Sequence, residues 1–323
     1  MTGDTPALPP PSSPAPRSAS PGRLAEALAA GAVVLDGGMS NQLESAGYDL
    51  GDELWSARLL AEHPEAVTEA HLAYFEAGAD VAITASYQAT FEGFAHRGIG
   101  PRRAAELMAL SVESGREAAR RARAGGVTRP LWTAASAGPY GAMLADGSEY
   151  RGRYGLSVDE LERFHRPRLE VLAAAGPDVL ALETVPDTDE AAALLRAVRG
   201  LGVPAWLSYT VGGGRTRAGQ PLDEAFALAA DADEVIAVGV NCCAPEDVDA
   251  AVATAARVTG KPVVVYPNSG EAWDAGARAW NGRATFTAAR VEGWRSAGAR
   301  LIGGCCRVGP EAITAIARAL RTG

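Results

Sequence analysis

The chemistry of this chain is concentrated in its cysteines. Only four occur in 323 residues, and they stand as two adjacent pairs, Cys242-Cys243 and Cys305-Cys306. A secreted scaffold stapled by disulfides is short and spreads its cysteines along the chain. A redox pair shows C-x-x-C spacing, which neither doublet has. Cysteines buried as small apolar residues are common, but they have no reason to gather at two points. Paired thiols far apart in sequence point instead to a soft-metal site, for which zinc is the natural ion. A thiol held by zinc is deprotonated outright and is nucleophilic at neutral pH. Several protein thiolates on one ion leave it a poor Lewis acid for activating water, yet keep an incoming substrate thiolate electron-rich. Such a site suits alkylation of a thiol better than hydrolysis, and the neutral thioether formed is a weaker ligand that can leave.

These residues need elements to hold them. From Gly31 onward, short apolar runs alternate with longer helical stretches. The runs are Val33–Gly38, Val81–Tyr87, Leu131–Pro139, Val179–Val185, Ala205–Val211, Val235–Cys243, Pro262–Asn268 and Arg300–Cys306. Continuous apolar runs of this length read as strands buried on both faces. Arg102–Ala124, Asp159–Ala175, Asp189–Arg199 and Glu246–Thr259 carry helical periodicity, with Thr188 and Asp189 as candidate caps and Pro245 suited to a first turn. Eight β/α units predict a single (β/α)₈ barrel. A doubly wound sheet is the runner-up. Its first strand would run into G-x-G-x-x-G, but here it ends in Asp36-Gly37-Gly38-Met39.

A barrel gathers its chemistry at the C-terminal ends of its strands, and both cysteine doublets lie there, on strands six and eight. Strands of the same parity can point side chains into one layer. Two spacings of about 4.8 Å separate them, within reach of a shared ion at about 2.3 Å from each sulfur. Gly303 and Gly304 let the backbone leave strand eight so that both following thiols can turn to one point. Strand six has no such glycines, so Cys243 is expected to point away from Cys242. Cys242, Cys305 and Cys306 would then leave a tetrahedral position open, as in catalytic zinc sites. All four thiols would close it and favour a zinc-storing or zinc-sensing protein.

Composition bounds the rest. With 47% hydrophobic and 21% charged residues, the chain can bury a full core. Its net charge of −9 lacks the positive field of a nucleic-acid binder, and no apolar run approaches the length of a membrane span. Residues 1–22, including Pro9 to Pro11, have too little apolar surface to order and no signal-peptide core; they read as a disordered tail before a barrel domain over 23–323. Reduced thiols without an export signal suggest a cytoplasmic protein.

The residues also carry a resemblance. Thr84–Thr90 (TASYQAT), Gly138–Gly152 (GPYGAMLADGSEYRG), Phe164–Arg168 (FHRPR), Val264–Glu271 (VVYPNSGE) and Ala297–Arg307 (AGARLIGGCCR) resemble, almost verbatim, the homocysteine S-methyltransferase family. The likeness is to its bacterial branch using S-methylmethionine or S-adenosylmethionine, and runs from about Arg23 to the C-terminus. It implies a (β/α)₈ barrel with catalytic zinc, whose G-[VI]-N-C and G-G-C-C motifs place the ligands at Cys242, Cys305 and Cys306. Cys243 and Gly38 depart from the pattern without touching that ligand set. Expected partners are homocysteine and a sulfonium donor; betaine, cobalamin or folate use is not expected, and oligomeric state is not legible.

Homocysteine presents an ammonium and a carboxylate besides its thiol. Asp36 and Glu183 end strands one and four, where a charge is costly unless partnered, and a substrate ammonium is a natural partner. Helix capping or an arginine partner is the alternative for each; the resemblance assigns them the amine. Gly37 and Gly38 could offer N–H groups to the carboxylate, with Thr84 and Ser86 nearby. Tyr140, Tyr150, Tyr154 and Trp273 are candidate faces for a cationic donor, or simple loop packing. The Gly212–Gly219 loop reads as a mobile lid, and His63, His71, His96 and His165 as surface or packing residues.

Overall fold

The computed structural model describes residues 22–49, 56–274 and 279–322. The tail expected over residues 1–22 therefore lies almost wholly outside the described residues; Gly22 itself already opens a helix, Gly22–Ala30. Eight parallel strands form the barrel: β1 (Val33–Val34), β2 (Val81–Ile83), β3 (Trp132–Ala137), β4 (Val179–Val185), β5 (Ala205–Tyr209), β6 (Val235–Asn241), β7 (Val263–Tyr266) and β8 (Ala299–Ile302). Their order is β1-β8-β7-β6-β5-β4-β3-β2, and a parallel bridge from Leu35 to Val81 joins β1 to β2. The chain is a (β/α)₈ barrel, and each of the eight apolar runs supplies one strand.

The sequence forms strands here because burial leaves these runs little else to do. Every residue of β3, β4 and β5 is buried, as expected where helices cover a parallel sheet and side chains fill its interior. The covering helices are amphipathic. In Pro101–Ala124, Ala104, Leu107, Met108, Ser111, Val112 and Gly115 fall on the buried side at three- and four-residue spacing. Ser157 and Glu160 form a reciprocal capping box that starts helix Val158–Ala174. The helix after β4 begins one residue earlier than expected: Asp187, rather than Thr188 or Asp189, is the cap, accepting the Glu190 N–H. Pro245 opens a 3-10 turn ahead of helix Val248–Thr259.

Two layers inside the barrel matter for the site. Leu24 and Leu28 of the first helix pack with Val33, Trp132, Val179 and Leu301, plugging the lower end. Higher up the filling turns polar. Trp206 Nε1 donates to the Tyr266 hydroxyl at 3.1 Å, which lies 2.9 Å from Ser208 Oγ; Ser208 in turn donates to Asn241 Oδ1 at 2.8 Å. Asn241 also accepts the Thr184 N–H and donates to its hydroxyl. The chain between β5 and the following helix makes a small hairpin, Val211–Gly212 with Arg215–Thr216, so the expected lid has a framework of its own. Among the described residues, no helix is long and apolar enough to cross a membrane.

Candidate functional site

Above the polar layer, at the C-terminal ends of the strands, lies a cavity of about 120 Å³. Cys242, Cys305 and Cys306 form part of its wall, and their sulfurs lie within 4.8 Å of one another. Cys242 and Cys305 are joined as a disulfide with Cα atoms 5.6 Å apart, and the Cys306 sulfur is 3.9 Å from that of Cys305. Reduction of that bond returns three thiols facing one point, a soft donor set suited to zinc. Burial pushes the Cys306 thiol up to about 12, so a thiolate there needs a cation beside it. The Cys306 N–H donates to Asn268 Oδ1 at 3.2 Å, which fixes the backbone that carries the sulfur.

How two neighbouring cysteines on β6 come to diverge is a backbone effect. On β6, Ala237 faces the barrel interior, while Val238 and Val240 face the outer core. Unbroken alternation would keep Asn241 inside and turn Cys242 out. Cys242 instead adopts φ 45°, in the left-handed region, and its sulfur swings in to meet Cys305. Cys243 then enters the outer apolar layer, fully buried, with its thiol held up at about 12 by the same burial. It points away as expected, but through a turn at Cys242 and not through continuation of the strand. Gly303 and Gly304 also act differently from expectation. Neither needs a left-handed φ; a Cβ on Gly303 would meet Leu35 Cβ at 2.6 Å, and one on Gly304 would meet the Val308 side chain at 2.1 Å. They are small because β1 and the turn before the last helix press against them.

The two carboxylates lie close to each other, Glu183 in the cavity lining and Asp36 buried behind it, outside the lining. Asp36 is buried, with Oδ2 accepting the Ile83 N–H at 2.8 Å and Oδ1 lacking a hydrogen-bond partner among the described residues. Burial raises its pKa well above the usual range, and the nearby Glu183 charge adds to this. Glu183 lines the cavity and accepts from the Ser136 hydroxyl; burial lifts it to about 7, against hydrogen bonds from Ser136 and Tyr266. No arginine pairs with either in the ion pairs of the described residues, and neither caps a helix there. Two buried acids with an unmet oxygen are costly when ionised unless a positive group lies beside them.

The remaining expected residues divide. Gly37, Gly38 and Thr84 line the cavity, but the Gly38 N–H is already bonded to the Val308 carbonyl at 3.0 Å. Ser86 is wholly buried outside the lining; its hydroxyl donates to the Ser136 carbonyl, and it sits 2.7 Å from Thr84 Oγ1. These two hydroxyls shape the wall through the backbone of β3.

Comparison with known proteins now places the chain. The homocysteine S-methyltransferase family model matches residues 33–320. A maize (Zea mays) protein named homocysteine S-methyltransferase 4 is 48% identical over 309 residues, covering 91% of this chain and 90% of its own. The chain belongs to the homocysteine S-methyltransferase family. Among solved structures, the metallated form of the homocysteine methyltransferase MmuM from Escherichia coli is 43% identical. It superposes with a TM-score of 0.83 over 93% of this chain and 99% of its own. The oxidized form of the same protein matches at 44% identity and a TM-score of 0.80, over 88% of this chain and 94% of its own. Family membership makes the chain a methyltransferase.

Against that family background, the aromatic candidates sort by what they touch. Tyr150 lines the cavity. Tyr140 and Tyr154 pack on each other with centroids 5.2 Å apart, and Tyr140 meets Phe164 edge-on at 4.8 Å, so both serve the loop's own core. The Trp273 side chain lies outside the described residues. His63 and His96 are exposed and His71 is buried, while His165 joins a buried network. Its Nε2 is 2.8 Å from Glu190 Oε1, and its Nδ1 is 2.7 Å from Arg168 Nη2. Among the cavity residues outside the expected set are Tyr87, Tyr266 and Glu149. Tyr87 closes its run and Tyr266 lies two residues from the end of its own, as Asp36 does, so both are open to the same strand-end criterion. Glu149 sits in a loop, where no periodicity marks it.

Proposed function

We propose that this chain transfers a methyl group from a sulfonium donor, S-methylmethionine or S-adenosylmethionine, to the thiol of homocysteine, giving methionine. Cys242, Cys305 and Cys306 would hold a zinc ion, which when bound supplies a Lewis acid that keeps a substrate thiol deprotonated at neutral pH. The observation that carries the reading is the convergence of three sulfurs just past β6 and β8 in a cavity that Glu183 also lines, with Asp36 buried close to Glu183. Asp36 and Glu183 take the homocysteine ammonium: its charge offsets what burial costs each acid, and Asp36 Oδ1 gains a donor. Thr84 and Gly37 border the place of the carboxylate. Held at both ends, the acceptor sulfur is presented to the donor in one orientation, which removes much of the entropic part of the barrier. A reducing cytoplasm is the compartment in which Cys242 and Cys305 remain thiols free to ligate.

The test is direct. Reduced, zinc-loaded protein is incubated with homocysteine carrying carbon-13 in its backbone and either donor carrying deuterated methyl groups. Methionine bearing both labels is read by mass spectrometry, since spent S-methylmethionine is itself methionine but carries no carbon-13. Label transfer that disappears on chelation and returns with zinc supports the reading. No transfer from either donor, or transfer that persists in metal-free protein, refutes it.

A further inference from the structure

Part of the cavity wall is built by the loop that follows β3. The loop starts with a short helix, Tyr140–Leu144, passes through Ala145 at φ 53° and Gly147 at φ 82°, and makes a 3-10 turn over Ser148–Tyr150. It folds back so tightly that a Cβ on Gly141 would lie 2.5 Å from the Glu149 nitrogen. Its two ends are tied to the segment after β4: the Tyr140 N–H donates to Glu190 Oε1 at 2.5 Å, and the Arg153 N–H to Asp187 Oδ2 at 2.8 Å. What this construction presents to the cavity is Glu149 beside Tyr150, with Tyr87 of the neighbouring strand end. Glu149 is 7% exposed, and its Oε2 is buried without a hydrogen-bond partner among the described residues.

A buried carboxylate with an unmet oxygen is unfavourable unless something positive arrives. The homocysteine ammonium already has Asp36 and Glu183. The donor brings the second cation: a sulfonium is positively charged, and the thioether it becomes on losing its methyl is not. Resting on the functional reading above, we propose that Glu149 is the counter-charge for the sulfonium of the methyl donor, with the rings of Tyr87 and Tyr150 as its aromatic flank. The assignment gives the site a way to tell donor from spent product, which differ by one methyl and one charge. It also fixes the kinetic signature. A fixed anion beside the sulfonium stabilises the bound donor and loses its partner as the charge is neutralised, so it serves donor binding and selectivity, not acceleration of the transfer.

Glu149→Gln keeps the shape and removes the charge. Calorimetry compares the variant with wild type for S-methylmethionine and for methionine, a neutral thioether with the same ammonium and carboxylate. S-methylmethionine is expected to bind about tenfold or more weakly and methionine within about twofold of wild type, with the kinetic loss falling on donor KM rather than on kcat. Glu149→Asp should recover part of the selectivity. Equal weakening for both ligands would mean Glu149 only supports the loop, and unchanged donor binding would remove it from the donor site; either overturns the assignment. Wild-type label transfer is scored first. Its absence defeats the functional reading, whereas transfer in wild type with either of those binding results defeats this assignment alone.

Discussion

At the scale of single residues, the cysteines separate sharply. Replacing Cys242, Cys305 or Cys306 by Ser exchanges a soft ligand for a hard one; each variant is expected to lose most of its zinc and more than about 100-fold in activity, since even outer-shell changes cost about 10–100-fold. Cys243→Ser should keep about one zinc per chain by elemental analysis. It should lose about 1–3 kcal/mol of stability, because the hydroxyl enters an apolar layer with no partner. Zinc loss in Cys243→Ser would instead recruit the fourth thiol to the ion and favour storage over catalysis. Glu183 gives a pH test. A carboxyl whose pKa is raised by folding stabilises the fold below its unfolded value, and that contribution is lost as pH rises through the folded value. For Glu183 the window runs from 4.5 to about 7. A bound ammonium favours the ionised form, so the rise in Tm produced by homocysteine should grow as pH increases through that window. Glu183→Gln should flatten this growth while zinc content stays at the wild-type level. A slope unchanged by the substitution would remove Glu183 from the ammonium site.

Among the elements, the loop after β3 depends on residues that are far from the cavity. Asp187 caps the helix after β4 and also holds the Arg153 N–H, so it joins two βα loops. Asp187→Ala removes a cap and leaves a buried donor unmet, at about 2 kcal/mol, or roughly 4 °C in Tm. Donor KM should rise with it, while zinc content stays put. Normal donor KM in a destabilised variant would show that the loop holds its shape without Asp187. Such links mark where the sequence stopped being legible. The eight strands could be read because runs buried on both faces have a composition that nothing else in the chain shares. The candidate site could be read because Cys242, Cys305, Asp36 and Glu183 each lie within two residues of the end of such a run. The loop could not, since its course depends on left-handed positions such as Ala145 and on partners about 30 to 50 residues away. Likewise the direction of Cys243 was read correctly, but the turn at Cys242 that produces it leaves no mark in a one-residue pattern.

For the whole molecule, the first helix plugs the lower end of the barrel. Deleting Met1–Pro21 is expected to leave Tm and turnover within error, because the plug starts with the helix at Gly22. Extending the deletion to Ala30 removes Leu24 and Leu28, each 2% exposed, and should cost at least about 4 kcal/mol. A stability loss from the shorter deletion would show that the tail docks on the barrel. The strand order adds a temporal constraint. β1 pairs with β8, Val33 opposite Leu301, and the Gly304 N–H bonds to the Asp36 carbonyl. On its other edge β8 pairs with β7, where the Gly303 N–H donates to the Val265 carbonyl and the Cys305 N–H to the Pro267 carbonyl, and this side brings Cys305 and Cys306 towards Cys242. On a ribosome, both edges of β8 wait until that strand emerges, and the pairing with β1, so distant in sequence, is slow to nucleate. A chain cut short before β8 would therefore lack two of the three thiols that meet at the top of the barrel.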